Sequence, residues 1–264
     1  MKEKELSIII VNYNGDNYLE DCINSIYTCC KSIDFEIIII DNNSKDGSVA
    51  LLKREFPEIE LIESAVNLGF AGGNNSAVKK ASGKNILLLN NDTILLNDLS
   101  VALDELNKEE VGVVSIKMLD KNKQYKKSVG KFPTIFSLML FSKLYIKKQG
   151  FETGNFSNER YEVDWVEGSF LLTRRDYYIK LGGLTEDYFM YVEDVDYCKK
   201  IALLEKKRIY FPSISYVHYS GFNSTRNHRL IDGYKIYVNK YFTSLKPIAL
   251  LILSLKKELL KILR

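Results

Sequence analysis

The feature that most constrains this chain is a repeated pairing: a short continuous apolar run, a polar cluster, then an amphipathic stretch. The apolar runs fall at residues 6–11 (LSIIIV), 35–40, 59–62, 86–89 (ILLL) and 111–116. Runs of this length without alternation suit strands buried on both faces. Between them, Leu19, Cys22, Ile23 and Ile26 form one stripe of a helix opened by Gly15 and Asp16, and residues 49–56, 71–81 and 99–106 read as further helices. Strands alternating with helices predict an α/β fold. Its central sheet is mostly parallel, joined by right-handed crossovers, with helices on both faces.

In such sheets ligands sit beyond the carboxyl ends of the strands. The polar clusters 12–14, 41–44, 67–75 and 90–92 each follow a strand at that end, which predicts a pocket before any ligand is considered. The second half is less regular. Residues 120–160 carry no clean period, 162–166 and 169–173 read as strands, 192–204 as a helix opened by acidic residues, and 208–211 as a short strand stopped by Pro212. The last forty residues read as helical.

Each chemical signal has an ordinary alternative. Asn90-Asn91-Asp92 closes a strand, where a carboxylate beside neutral oxygens can hold a hard divalent ion on a diphosphate; Asn and Asp are equally at home in turns and helix caps. Glu193, Asp194 and Asp196 can supply a general base or simply stabilise a helix N-terminus. His218 is one of only two histidines, a candidate ligand or a hydrogen-bonded structural residue. The stretch GFAGGNN can cradle phosphates or cap the next helix; it is neither GxGxxG nor a Walker loop.

Taken in order, SIIIVNYN, IIIIDNNSKDGS, NLGFAGGNN, LLLNNDT, EGSFLLTRR, YVEDVDYC and VHYSG resemble a family-2 glycosyltransferase of the GT-A (Rossmann-like) fold. The resemblance covers about residues 6–221 and is to the bacterial rhamnosyltransferase-like members that build surface polysaccharides. It implies a domain at 1–221, with a nucleotide-binding half at about 1–117 and an acceptor-binding half at about 118–221, followed by a basic helical extension at 222–264. It also implies nucleotide-binding roles for Val11, Tyr13, Asp41, Asn67, Gly69, Asn90 and Asn91: Tyr13 would stack on the pyrimidine and Asp41 would accept its ring N–H. Asn90-Asn91-Asp92 stands where the family has DxD, with Asn90 in place of the first Asp. Asp92 and His218 would bind the metal, Mn²⁺ or Mg²⁺, and Asp194 would be the catalytic base. Trp165, Glu167, Gly168, Ser169 and Glu193 fall where the family contacts donor sugar or acceptor.

The implied reaction moves a sugar with inversion from a nucleotide-diphosphate donor, dTDP-rhamnose or a UDP-sugar, to a glycan or a polyprenyl-diphosphate-linked glycan. The processive synthase motif QxxRW is absent, and Trp165 is the single tryptophan, which favours one sugar per encounter. Two other readings stay open. A sugar nucleotidyltransferase would release pyrophosphate, but the chain lacks the glycine-rich basic loop after the first strand. A non-catalytic nucleotide-sugar-binding module is motivated by Asn90.

Charge is distributed unevenly. Residues 199–264 carry 14 Lys/Arg against 3 Asp/Glu, and residues 1–198 carry 23 against 31. An acidic body with a basic end predicts chemistry in one part and an anionic partner at the other. Tyr234, Tyr237, Tyr241 and Phe242, with the Leu/Ile/Lys pattern of 247–263, suggest an amphipathic segment over 226–264 that meets a membrane interface. The alternative is packing on the protein itself or on a second copy as a homodimer. Nucleic-acid binding has no supporting motif. Four cysteines without metal spacing predict reduced thiols, and the charged start MKEKE leads into a strand without a cleavage signal. The expected location is therefore cytoplasmic, peripheral to the inner face of the cell membrane.

Overall fold

A computed structural model describes residues 3–219 and 226–262, so the expected boundary at 221–222 and the Ser220-Gly221 end of the VHYSG motif lie outside the described residues. The first half runs β1 (Leu6–Asn12), α1 (Leu19–Cys29), β2 (Phe35–Asp41), α2 (Ser48–Glu55), β3 (Glu60–Glu63), α3 (Gly69–Val78), β4 (Asn85–Asn90), β5 (Thr93–Leu95), α4 (Ser100–Leu106) and β6 (Val111–Leu119). The second runs β7 (Val129–Gly130), α5 (Ile135–Met139), a 3₁₀ turn at Phe141–Leu144, α6 (Gln149–Thr153), β8 (Tyr161–Val163), β9 (Trp165–Val166), β10 (Phe170–Arg174), α7 (Arg175–Lys180), α8 (Glu193–Leu203), β11 (Lys207–His218), α9 (Arg226–Tyr241) and α10 (Lys246–Ile262).

The main sheet has the order β3-β2-β1-β4-β10-β6-β11-β5, with β8 paired to β11. β1, β2, β3 and β4 pair in parallel, as do β6 and β11; β10 is inserted antiparallel between β4 and β6. Side chains alternate across a strand, so each central strand feeds two cores. Ile8, Ile10, Ile37, Ile39, Leu87 and Leu89 face α1, α2 and α4. Ile9, Ile38, Ile40, Ile86 and Leu88 face the opposite layer, which includes α3, α8 and α9. This double burial explains why the strands read as unbroken apolar runs.

Three local expectations change. The run 162–166 is two strands rather than one. It breaks at Asp164, whose carboxylate accepts the Phe132 N–H (2.9 Å) and lies near Arg208 (3.8 Å). Pro212 does not end a strand. β11 continues through it to His218, with its register against β6 shifted between Phe211 and Ser215; such an irregularity accommodates the missing N–H. In α9, Tyr234 and Tyr237 are buried in the main core and Tyr241 and Phe242 pack against it. Tyr234 and Tyr237 are therefore not membrane anchors, because their rings are already covered by protein.

From β1 the chain builds outward through β2 and β3, then crosses back to β4 on the other side. The strand order reverses between β1 and β4, and their carboxyl ends form the crevice where such sheets bind ligands.

Candidate active site

The carboxyl ends of β1, β2 and β4 are tied by one side chain, Asn12. Its amide donates to Asp41 Oδ1 (2.8 Å) and Ser48 Oγ (2.9 Å), while its own oxygen accepts from Asn91 Nδ2 (2.8 Å). Asp41 Oδ2 accepts the Ser44 N–H (2.9 Å). Asn12 was not among the site residues expected from the sequence. The signal that could have found it is an amide placed directly after a buried apolar run, where an unsatisfied polar group would be costly. Tyr13, next along, is half exposed at the mouth of the crevice, and Val11 is packed against α3 at Gly73.

A second clamp crosses from the carboxyl ends of β2 and β3 to the acidic segment. Asn67 Oδ1 accepts the Gly69 N–H (2.9 Å), and Asn42, also absent from the expected set, donates to the Gly69 carbonyl (2.9 Å). Gly69 has φ +71°, and a Cβ there would stand 2.4 Å from the Phe189 carbonyl oxygen. Only glycine permits that approach. The neighbouring Phe70 N–H donates to the same oxygen (2.9 Å). The loop before α8 is thus held against the loop before α3.

That loop ends in backbone strain. Tyr191 and Val192 have φ of 73° and 75°, a conformation a β-branched residue rarely adopts. α9 covers it at Gly233, where a Cβ would lie 2.8 Å from Val192 Cγ2 and 2.9 Å from the Tyr191 oxygen. Asp194 follows two residues later. Gly233→Ala is expected to push this segment and lower kcat about tenfold or more, with little change in donor affinity. Unchanged kcat in a folded variant would show that the α9 contact does not position Asp194.

The three carboxylates at the start of α8 have different fates. Asp194 Oδ2 accepts the Gly168 N–H (2.9 Å) and Oδ1 the Val195 N–H (2.7 Å). Desolvation is the main cause that raises its pKa to about 6; the Gly168 hydrogen bond opposes the rise and the Glu167 charge adds to it. Glu193 is buried with Oε2 unpartnered, and burial followed by the charge of Asp194 pushes it well above the usual carboxylate range. Asp196 turns away. It is fully buried, accepts from Thr185 Oγ1 (2.6 Å) and pairs with Lys240 (2.6 Å), so it fastens α9 to α8.

Across the crevice, His218 at the end of β11 brings Nε2 to 3.2 Å from both Asp92 Oδ1 and Asn90 Nδ2. Its Nδ1 lies 3.7 Å from Glu167 and has no hydrogen-bond partner although buried. Among the described residues no cluster of three or more His, Cys, Asp or Glu could hold a metal. One carboxylate, one imidazole and an adjacent amide remain, and this set fits Mg²⁺ or Mn²⁺ when phosphate and water complete the shell. The fit is to a substrate-shared ion rather than an all-protein site.

The residues expected around the sugar divide. Gly168 and Glu167 border Asp194 and His218 directly. Trp165 is buried, stacks edge-on with Tyr145 (5.6 Å) and spends its N–H on the Lys131 carbonyl (2.9 Å). Ser169 is buried and bonded to the Tyr216 hydroxyl (2.8 Å). Both are walls of the site rather than free polar contacts, because their hydrogen-bonding groups are already engaged. The four cysteines are buried free thiols, and burial raises Cys22, Cys30 and Cys198 to about 12, so none is poised as a nucleophile.

Comparison with known proteins agrees with this geometry. The family model for glycosyl transferase family 2 matches residues 7–182. The chain is 27% identical over 226 residues to the rhamnosyltransferase WbbL of Escherichia coli K12, covering 81% of this chain and 83% of that one. It is 23% identical over 242 residues to the N-acetylglucosaminyl-diphospho-decaprenol L-rhamnosyltransferase of Mycobacterium tuberculosis, covering 84% and 78%. Among solved structures it resembles GalNAc-T7 with UDP, GalNAc and Mn²⁺ (TM-score 0.72, 14% identity, 93% of this chain). It spans about half of that protein, 49%. It also resembles the mannosyltransferase PcManGT of Pyrobaculum calidifontis with GDP-Man and Mn²⁺ (TM-score 0.63, 16% identity, 96% of this chain and 74% of that one). These neighbours share the GT-A fold. With the family model matching two thirds of its length, this chain belongs to glycosyl transferase family 2 and is a glycosyltransferase.

Proposed function

We propose that the protein is an inverting, divalent-cation-dependent rhamnosyltransferase or close hexosyl relative. It transfers one sugar from a nucleotide diphosphate, dTDP-rhamnose first among candidates, to a polyprenyl-diphosphate-linked glycan in surface-polysaccharide synthesis. The observation that carries this reading is the pairing of Asp194, a desolvated carboxylate held by the Gly168 N–H, with the Asp92–His218 pair across the same crevice. The named rhamnosyltransferase relatives support the sugar, and the mycobacterial one supports a lipid-diphosphate acceptor.

Asn12, Asp41 and Asn67 shape the base and ribose end, and Tyr13 offers a ring for stacking. Asp92 and His218 would hold a divalent ion, which when bound would supply positive charge for the departing diphosphate. Asp194 accepts the proton of the acceptor hydroxyl as its oxygen bonds to the anomeric carbon. The bond to the diphosphate oxygen breaks on the opposite face, so configuration inverts. Burial opposes ionisation of Glu193, the carboxyl next to the base. The catalytic domain would span about residues 1–221, with the basic helical segment from 222 onward packed back onto it through α9.

Because Asp194 works only when ionised and its pKa is raised to about 6, log kcat/KM should rise with unit slope as pH increases toward about 6. It should then level off. A profile flat down to pH 4.5 to 5 would remove Asp194 as the base. The reaction itself is tested by incubating the protein with dTDP-rhamnose or UDP-sugars, Mn²⁺ and a prenyl-diphosphate glycan. Free nucleoside diphosphate and an inverted linkage by NMR are expected, whereas pyrophosphate release in a parallel incubation with nucleoside triphosphate and sugar 1-phosphate would identify a nucleotidyltransferase.

A further inference from the structure

α10 is apolar on two faces. Toward the protein, Ala249 and Leu253 are fully buried, and Leu250 and Leu260 pack on the same core. On another face Leu245, Ile248, Leu251, Leu255 and Leu259 recur at spacings of three and four, each more than half exposed. A helix apolar on two sides is stable in water only if both are covered.

The row does not stand alone. α5 packs beside α10. The Lys256 ammonium donates to the Met139 carbonyl (2.9 Å) and lies 3.8 Å from the centroid of the Phe141 ring. α5 in turn exposes Phe136 at 70%, with Met139 and Leu140 also more than half exposed. Two adjacent elements therefore present large apolar side chains to solvent, more than a solvated surface normally carries.

Charge indicates what covers them. Lys143 lies over the Phe136 ring (6.0 Å to the centroid), and Lys147 and Lys148 follow on the same exposed stretch. None of the three makes an ion pair among the described residues. The lysines of α10 that the sequence suggested for an anionic partner are engaged elsewhere. Lys257 pairs with Asp232 (2.5 Å), Lys261 with Glu258 (2.8 Å), and Lys256 is held by α5. No helix of the described residues is long and apolar enough to cross a membrane, and Lys256 and Lys257 interrupt α10. Such a helix lies in an interface rather than spanning it.

We infer that the α5–α10 face is a seat for a bilayer containing anionic lipid. The leucine row enters the acyl boundary, while Lys143, Lys147 and Lys148 meet headgroup phosphates. A second copy fits less well, since a two-fold contact would bring two copies of this unpaired basic stretch into one interface. The seat also adjoins the site. Phe141 packs on Tyr234 (5.3 Å), and Tyr234 and Tyr145 both feel the charge of Asp194. The docking goes beyond the transfer reaction; its use in delivering acceptor rests on the lipid-linked acceptor proposed above.

The test is flotation of the full chain with phosphatidylcholine vesicles, with or without phosphatidylglycerol. Wild type should float with the anionic vesicles. The double variant Leu251→Glu, Leu255→Glu should lose at least tenfold in partitioning. Lys143→Gln, Lys147→Gln and Lys148→Gln together should lose about fivefold per charge on anionic vesicles only. Leu203→Glu, an exposed leucine on α8, should float as wild type, and all variants should keep wild-type thermal melting and nucleotide binding. Equal flotation of wild type and the leucine variant overturns the proposal. So does a dimer that this variant splits, in a protein that never floats. If docking holds and no prenyl-linked glycan is used, the bilayer seat stands and the acceptor reading fails.

Discussion

Asp194→Asn is expected to lower transfer by about 10²–10⁴-fold while leaving nucleotide binding near wild type. The amide keeps the shape of the side chain and can accept the Gly168 or the Val195 N–H but not both, and it cannot take a proton from the acceptor hydroxyl. The same substitution should remove the pH-dependent stability change that ionising Asp194 causes, and this second readout separates the base from an ordinary structural carboxylate. Because burial raises the pKa of Asp194 to about 6, its ionisation is opposed by the folded state. Stability contributed by the protonated form is complete below the unfolded pKa, near 4, and is lost as pH rises through about 6. Relative to wild type, the asparagine variant should therefore melt higher at pH 8 than it does at pH 4. Near-normal turnover would end the base assignment; lost turnover with a melting difference that does not change with pH would point to a structural role.

Asp92→Ala and His218→Ala should each weaken Mn²⁺-dependent nucleotide-diphosphate binding by about tenfold or more, with little effect on the residual binding measured in chelator. The reason is the sparse donor set. Asp92 and His218 stand 3.2 Å apart, and Asn90 replaces a carboxylate, so losing either leaves too few protein donors to place the ion on the phosphates. The two losses should be non-additive, because each single variant already removes the shared ion. Unchanged affinity with Mn²⁺ in both variants, measured by calorimetry, would assign the pair to a structural hydrogen bond.

Much of the sheet was legible because double burial leaves a simple trace. β1, β2, β4 and β6 each appear as apolar runs within a few residues of their observed bounds. Short or interrupted elements left no such trace. β5 has three residues, β8 and β9 are split at Asp164, and β11 passes through Pro212 by shifting register. In each case long-range pairing overrides the local signal, and a proline or a two-residue strand is read wrongly without its partner.

At the site, residue types and order identified the carboxylates and the histidine, since their chemistry is local to the side chain. Their assignments depended on neighbours far along the chain. Asp194 and Asp196 are two residues apart on one helix, yet one faces Gly168 and the other is locked to Lys240. Trp165 and Ser169 looked available for a sugar, but their polar groups are spent on Lys131 and Tyr216.

The parallel α/β plan, the gathering of polar clusters at the carboxyl end of the sheet and the family are all written in the order of residues along the chain. Those depend on periodicity and on motif order, which survive in one dimension. Packing alone sets which carboxylate faces Gly168, joins three strand ends through Asn12, and makes Tyr234 and Tyr237 of α9 core while the outer leucines of α10 remain uncovered. Burial and hydrogen-bond partnership are properties of packing, and packing brings together residues separated by most of the chain.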